Sequence, residues 1–144
     1  MYFSVKILGS GSATPTIYRQ TSAQVVNYNE SYFLIDCGEA TQIAMRKYAI
    51  PLMKINHIFI SHLHGDHYLG IFGIINTMHL FNRKKDLHIY TFFGLQKLIE
   101  LQLAISETTL QYKIIYHTLD QSQSKYIFEN KYIQVYTIPL KHRI

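Results

Sequence analysis

The chain has no apolar run near the roughly 20 residues that a membrane-spanning helix needs, and it has a single cysteine among 144 residues. No basic stretch followed by an apolar stretch, typical of a secretory signal, stands at the N-terminus. One cysteine cannot form an internal disulfide, which agrees with a reducing compartment. These absences predict a cytoplasmic protein without membrane partners.

Repeats, linkers and low-complexity segments are also lacking. A length of 144 residues and a hydrophobic fraction of 48% fit one domain with an ample core. Acidic residues are few: 9 against 14 lysines and arginines, with a formal charge of +5. This excess is a mild signal for a polyanionic partner, and it permits RNA without demanding it. The only basic run, residues 83–85, fits either a solvated turn or a phosphate-binding patch.

Hydrophobic patterning predicts alternating strands and helices, hence an α/β (α+β layered) fold. A reversal is expected at Asn29-Glu30, between two strands, and another at Glu129-Asn130. Strands are predicted at 3–8, 23–28, 32–36, 55–60, 87–91, 112–117, 125–128 and 131–138. Helices are predicted at 40–48, 68–80 and 95–105.

The segment from Ser61 to His67 is the strongest functional signal, because it places three imidazoles and a carboxylate within six residues. Imidazole and carboxylate bind borderline cations such as Zn²⁺. In an extended segment alternate side chains share a face, so His62 and His64 can bind one ion together. Asp66 and His67 follow a glycine that redirects them, which suggests a second metal. The competing interpretation is a chance cluster on a solvated loop.

A buried strand before the motif and a helix after it would place these donors at the carboxyl end of a sheet strand, where α/β proteins bind ligands. Asp36, at the end of another strand, fits either a carboxylate that orients a ligating histidine or a simple turn residue. Cys37 fits a small buried apolar residue. The other histidines, at 57, 79, 88 and 117, are expected to be packed or solvated rather than ligating.

Four segments carry a family pattern: residues 7–16 (ILGSGSATPT), 34–39 (LIDCGE), the HLHGDH motif at 62–67 and residues 138–143 (IPLKHR). Together they resemble ribonuclease Z, the tRNA 3′-processing endonuclease branch of the metallo-β-lactamase superfamily. The resemblance implies a metallo-β-lactamase αββα sandwich, of which residues 1–144 supply about the N-terminal half. In that family a bridging aspartate and a further histidine follow the last segment, so we expect a truncated domain.

The resemblance also implies roles for single residues. His142 would be the third imidazole on the ion held by His62 and His64. Asp66 would hold the second metal with His67 and act as general base toward water, or serve as a ligand only. A complete site would hold two Zn²⁺ ions, with Mn²⁺ or Fe²⁺ as alternatives. Candidate substrate contacts are Ser10, Ser12, Thr14 and Arg19, although a solvated side chain is the favoured interpretation of Arg19.

The function implied is a zinc-dependent endoribonuclease that removes the 3′ trailer of precursor tRNA and leaves a 3′-hydroxyl. We expect the protein to form a homodimer and not to bind DNA. We also expect little activity from these 144 residues alone, because an incomplete ligand set weakens metal binding. One alternative is a hydrolase of the same superfamily acting on a small phosphodiester or a thioester. Another is a noncatalytic module that binds metal or RNA and dimerises.

Overall fold

The computed structural model describes residues 1–141, so His142, Arg143 and Ile144 lie outside the described residues. Six strands form one sheet in chain order: β1 Phe3–Gly9, β2 Ala23–Tyr28, β3 Ser31–Ile35, β4 Ile55–Phe59, β5 Leu87–Thr91 and β6 Ile114–Thr118. The first three strands are antiparallel neighbours, whereas β3 to β6 run parallel. Strands β7 Tyr126–Glu129 and β8 Gln134–Tyr136 form a separate antiparallel hairpin.

The parallel strands are joined through helices. A crossover between β3 and β4 contains α1 Thr41–Lys47 and a 3-10 turn, Leu52–Lys54. Between β4 and β5 lie α2 Gly65–Tyr68 and α3 Ile71–Leu80, and α4 Leu95–Ile105 joins β5 to β6. None of the helices within residues 1–141 is long and apolar enough to cross a bilayer.

Both faces of the parallel strands are buried, as expected for strands between two layers. On one face Leu34, Ile58 and Ile89 pack in the main core with the apolar sides of the helices. On the other face Phe33, Phe59 and Tyr90 form a second cluster, which the β7–β8 hairpin covers. That cover stops short of the antiparallel edge, where Phe3, Val5 and Ile7 of β1 are exposed.

Most predicted elements are confirmed within two residues at each end, and β2, β5 and α4 have the predicted bounds. The Asn29-Glu30 reversal is present, with positive φ at both residues, as a tight hairpin turn requires. The second hairpin turns later than predicted, since Glu129 still belongs to β7. Its turn is held by Asn130 Oδ1, which accepts the amides of Tyr132 and Ile133 at 2.8 Å.

The predicted helix at 68–80 is present as α3 with the predicted end, but it begins three residues later, because the chain breaks between α2 and α3 at Leu69-Gly70. The Gly70 amide donates to the Cys37 carbonyl at 2.9 Å. A Cβ on Gly70 would meet the Gly38 carbonyl oxygen at 2.1 Å, so only glycine fits. The helical pattern continues across the break, and it therefore could not reveal that two backbones touch there.

The solvated-turn interpretation of the basic run holds for Lys84 and Lys85, which are exposed, but not for Arg83, whose side chain is buried. Its guanidinium donates to four backbone carbonyls, those of Met53, Ile55, Lys85 and Asp86, and to Asn56 Oδ1. All of these acceptors are neutral. Arg83 is therefore a structural cross-link below the amino ends of β4 and β5, and it is unavailable to phosphate.

Candidate metal centre

The histidine motif lies where predicted, directly after β4 at the carboxyl end of the parallel strands. The Ile60 amide still pairs with the Tyr90 carbonyl of the neighbouring strand at 2.9 Å, and the chain then leaves the sheet. Residues 61–64 are extended or irregular, and Gly65 begins α2. The strand thus fixes the start of the motif, while the short helix redirects its second half.

His62 and His64 form the first donor pair. His62 Nε2 lies 3.0 Å from His64 Nδ1, so both ring nitrogens point toward one place. Two imidazole nitrogens, each about 2.0–2.1 Å from one zinc ion, would stand roughly 3.3 Å apart in a tetrahedral shell. The observed separation is compatible with two ligands of a single ion.

Asp66 and His67 form the second pair, with Asp66 Oδ2 3.5 Å from His67 Nε2. The other ring nitrogen of His67, Nδ1, lies 2.7 Å from the carboxylate of Asp36. If Nδ1 carries the proton and donates to Asp36, Nε2 presents its lone pair toward Asp66. Two electron-rich atoms facing each other at this distance favour a cation between them.

Asp36 is buried, and its carboxylate contacts His67, which agrees with the first of the two interpretations considered for it. Its Oδ2 accepts hydrogen bonds from the hydroxyls of Ser22 and Ser61, both at 3.0 Å, and contacts His67. Its Oδ1 accepts the Ser61 amide at 2.8 Å. A carboxylate that fixes the ring of a candidate ligand is the usual outer support of a metal-binding histidine. Its positive φ of 56° places it in a turn as well.

The glycine-rich loop reaches the site through its backbone. The Ala13 amide donates to Asp66 Oδ2 at 2.9 Å, and Ala13 has a φ of 61°. Burial alone would raise the pKa of Asp66, but this amide and the imidazoles of His67 and His64 outweigh it and lower the pKa below its ordinary value. Asp66 is therefore a carboxylate at neutral pH. The predicted substrate residues Ser10, Ser12, Thr14 and Arg19 are all exposed on the same loop.

Within residues 1–141, no group of three or more histidine, cysteine or acidic side chains meets the geometry of a metal site. The donors stand as two pairs, which suit metal ligation chemically but need further ligands. The predicted ligand His142 lies outside the described residues, so its place near the first pair stays a prediction. The ligand roles of His62, His64, Asp66 and His67 likewise remain predictions.

The other histidines are not brought to this site. His57, His88 and His117 line up across β4, β5 and β6 on the hairpin side of the sheet, with ring centroids 4.9 and 5.3 Å apart. Burial, with help from its two neighbours, lowers the pKa of His57 to about 4. Cys37 is fully buried, and burial raises the pKa of its thiol.

Sequence reasoning missed three contributors to the site. Ser22 and Ser61 hold Asp36, and Ser61 carried a signal, since it immediately precedes the motif. Ala13 acts through its backbone amide, so no side-chain pattern could have revealed it.

This sheet and its donor loop define a protein of the metallo-β-lactamase fold. A protein titled as having that fold, YhfI from Bacillus subtilis, superposes on 92% of this chain and 56% of its own with a TM-score of 0.64. At 18% identity that likeness shows the fold alone.

The chain belongs to the family described as anti-Pycsar protein Apyc1, whose model matches residues 3–143. It is also similar to ribonuclease Z of Bacteroides fragilis, with 45% identity over 142 residues, which cover 99% of this chain and 47% of that protein. The human tRNase Z short form is 32% identical, with a TM-score of 0.88 over 97% of this chain and 61% of its own. The resemblance to the N-terminal half of ribonuclease Z is confirmed, and the chain spans about half the length of the curated relatives it matches.

Proposed function

We propose that residues 1–144 form the N-terminal, metal-binding half of a zinc-dependent endoribonuclease that removes the 3′ trailer of precursor tRNA and leaves a 3′-hydroxyl. The observation that carries the proposal is the His67 imidazole held between the carboxylates of Asp36 and Asp66 at the carboxyl edge of the sheet. Likeness to ribonuclease Z over 99% of the chain supports tRNA as the substrate.

The residues of the site would have different roles. His62 and His64 would hold one zinc ion, together with His142, and Asp66 and His67 would hold the second. Zinc bound there would supply water acidification and an electrophile for the phosphate oxygens. Asp66, ionised and oriented by the Ala13 amide, would serve as the proton acceptor for the attacking water. Asp36 positions His67 and does not touch the substrate. Mn²⁺ and Fe²⁺ suit the same donors.

We further propose that the protein acts as a cytoplasmic homodimer and that the 144-residue polypeptide alone is nearly inactive. The reason for weak activity is that the described donors stand in pairs rather than in complete ligand sets. The exposed apolar side chains of β1, Phe3, Val5 and Ile7, support self-association.

The test measures zinc affinity, by competition with a chromophoric chelator, together with cleavage of a precursor tRNA labelled in its trailer. We expect slow zinc-dependent cleavage at the trailer junction, abolished by Asp66→Asn and His64→Asn, with weaker zinc binding in both variants. Glu107→Gln, in an exposed turn beyond α4, is the control. Zinc affinity and cleavage that are both unaffected by the site variants would refute the proposed centre.

A second candidate is hydrolysis of a small phosphodiester or a thioester. The matching family is described as an anti-Pycsar protein and not as a ribonuclease, so the family match by itself does not favour tRNA over a small substrate. The same preparation is therefore assayed on bis(p-nitrophenyl) phosphate and on a thioester. Zinc-dependent turnover of a small substrate with no cleavage of precursor tRNA would select this candidate.

A further inference from the structure

A small cavity lies at the same edge of the sheet as the proposed metal centre, on the side of the helices. It lies between the carboxyl ends of β5 and β6 and the N-terminus of α4, with a volume of about 160 Å³. We name it the α4 pocket, lined among others by Thr91, Gln96, Lys97, Glu100, Tyr116 and Thr118. Sites for drug-sized ligands occupy roughly 300–1,000 Å³. The α4 pocket therefore suits a single small group and not a whole nucleotide.

Thr91, a residue that lines this pocket, has a buried hydroxyl without a partner among the described residues. Thr91 is only 2% exposed, and among the residues that the structure describes its Oγ1 has no hydrogen-bond partner. Strand alternation places this side chain on the face of Leu87 and Ile89, which is the helix side and the side of the pocket. Buried hydroxyls are nearly always paired, so an unpaired one that lines a cavity points to a ligand.

The N-terminus of α4 provides the opposite wall of the pocket. The helix has 11 residues, long enough to carry a dipole, and its first turn contains no acidic residue. Its N-cap is Gly94, with a φ of 121°, so no side-chain oxygen caps the first-turn amides. Amides left in this way are the usual binding site of an anion.

One cation and one anion also line the pocket. Lys97 Nζ lies 4.5 Å above the ring of Phe93, which holds the ammonium group beside the cavity. Glu100 opposes an anion, but it lies in the second turn, and its carboxylate accepts a hydrogen bond from Gln96 Nε2 at 2.8 Å. Removing the Glu100 charge should therefore strengthen anion binding.

We propose that the α4 pocket is a phosphate-binding subsite formed by the first-turn amides of α4, the Thr91 hydroxyl and Lys97. The pocket adjoins the metal centre, since a Cβ on Gly94 would lie 3.9 Å from the side chain of Leu63, between His62 and His64. Resting on the proposed function, we assign to it a backbone phosphate of the same RNA strand, near the one that is cleaved. The substrate would then engage the protein through at least two phosphates.

The test titrates the ¹⁵N-labelled chain with inorganic phosphate, at ionic strength held constant with chloride, and follows the backbone amides by NMR. We expect saturable shifts confined to Leu95, Gln96, Lys97 and Thr91. Thr91→Val keeps the shape of the side chain and removes the hydroxyl, and Lys97→Gln removes the charge. Each should raise the Kd at least fivefold, whereas Glu100→Gln should lower it.

Lys131→Gln is the matched control, because Lys131 Nζ also lies over an aromatic ring, 5.3 Å from that of Tyr132. Three results would each overturn the proposal: shifts spread over many lysines, shifts that do not saturate, and a Kd that Thr91→Val leaves unchanged in a folded protein. A second titration compares the dinucleotide UpU with uridine. Shifts with UpU alone support the assignment to RNA, and shifts with inorganic phosphate but not with UpU refute it while leaving the subsite intact. Neither titration requires hydrolysis, so failure of the proposed enzyme activity is seen separately.

Discussion

Replacing Asp36 with asparagine should disable the proposed metal centre while keeping its shape. Three donors converge on Asp36 Oδ2, namely the hydroxyls of Ser22 and Ser61 and the ring of His67, whereas Oδ1 accepts only the Ser61 amide. An asparagine that keeps its oxygen at the Ser61 amide therefore places its NH₂ group against the other three. The hydroxyls can turn and accept, but a protonated Nδ1 of His67 cannot.

The imidazole of His67 must then move its proton from Nδ1 to Nε2, the nitrogen that faces Asp66. A protonated Nε2 cannot bind a metal ion, so Asp36→Asn should lower zinc affinity by about 10–100-fold. Losing one hydrogen bond to a charged group should lower the free energy of unfolding by about 1.5–3 kcal/mol. Competition with a chromophoric chelator measures the first quantity, and urea unfolding measures the second.

Two comparison variants make this result specific. Ser22→Ala removes one hydroxyl hydrogen bond to the same carboxylate and should cost about 1.5–3 kcal/mol, with zinc affinity within a fewfold of the parent. Glu107→Gln removes an exposed charge outside the site and should change neither quantity. Zinc affinity unchanged in Asp36→Asn, or reduced equally in Glu107→Gln, would refute the tautomer argument.

Three further outcomes are expected from the fold. Arg83→Met should lower the free energy of unfolding by about 3 kcal/mol or more, because several buried acceptors lose their donor, whereas the exposed Lys84→Met should be nearly neutral in urea unfolding; equal effects would contradict the cross-link. The pKa of His57 is lowered to about 4 in the folded protein, so as the pH falls the unfolded chain takes up a proton on this ring before the folded chain does. Stability should therefore fall as pH drops from about 6.5 toward 4. For this partly exposed ring the loss in the free energy of unfolding should be about 1–2 kcal/mol, measured by urea unfolding at pH 7 and 5. The loss should be smaller in His57→Phe, and an equal pH dependence in the variant and the parent would exclude His57 as its source. Cys37 should react with iodoacetamide about 100-fold more slowly in the folded protein than in urea, because burial raises the pKa of its thiol. Rapid labelling of the folded state would show that the segment around Cys37 opens.

Local patterns predicted most of the fold because strands and helices here follow the hydrophobic period. The strand β5 and the helix α4 have the predicted bounds, since both lie between clear polar or glycine breaks. Long-range contacts could not be predicted in this way. The break before α3 depends on Gly70 touching Gly38, and the burial of Arg83 depends on carbonyls from two other segments.

The candidate site shows the same difference between local patterns, which could be predicted, and long-range contacts, which could not. Alternation and residue type predicted the pairing of His62 with His64, because both lie on one short extended segment. The role of Asp36 remained open between two interpretations, since its contact with His67 spans 31 residues. The amide of Ala13 contributes no side-chain chemistry and gave no signal.

The contact between Asp36 and the histidine loop also orders events during folding. Ser61 lies 25 residues beyond Asp36, and the parallel β3–β4 crossover must close before the two can meet. Closing such a loop costs entropy that later contacts must repay, which makes parallel pairing slow. If the proposed site binds zinc, tight binding should therefore develop only after these strands have assembled. The time during refolding at which bound zinc begins to dissociate slowly would then report when the β3–β4 crossover has closed.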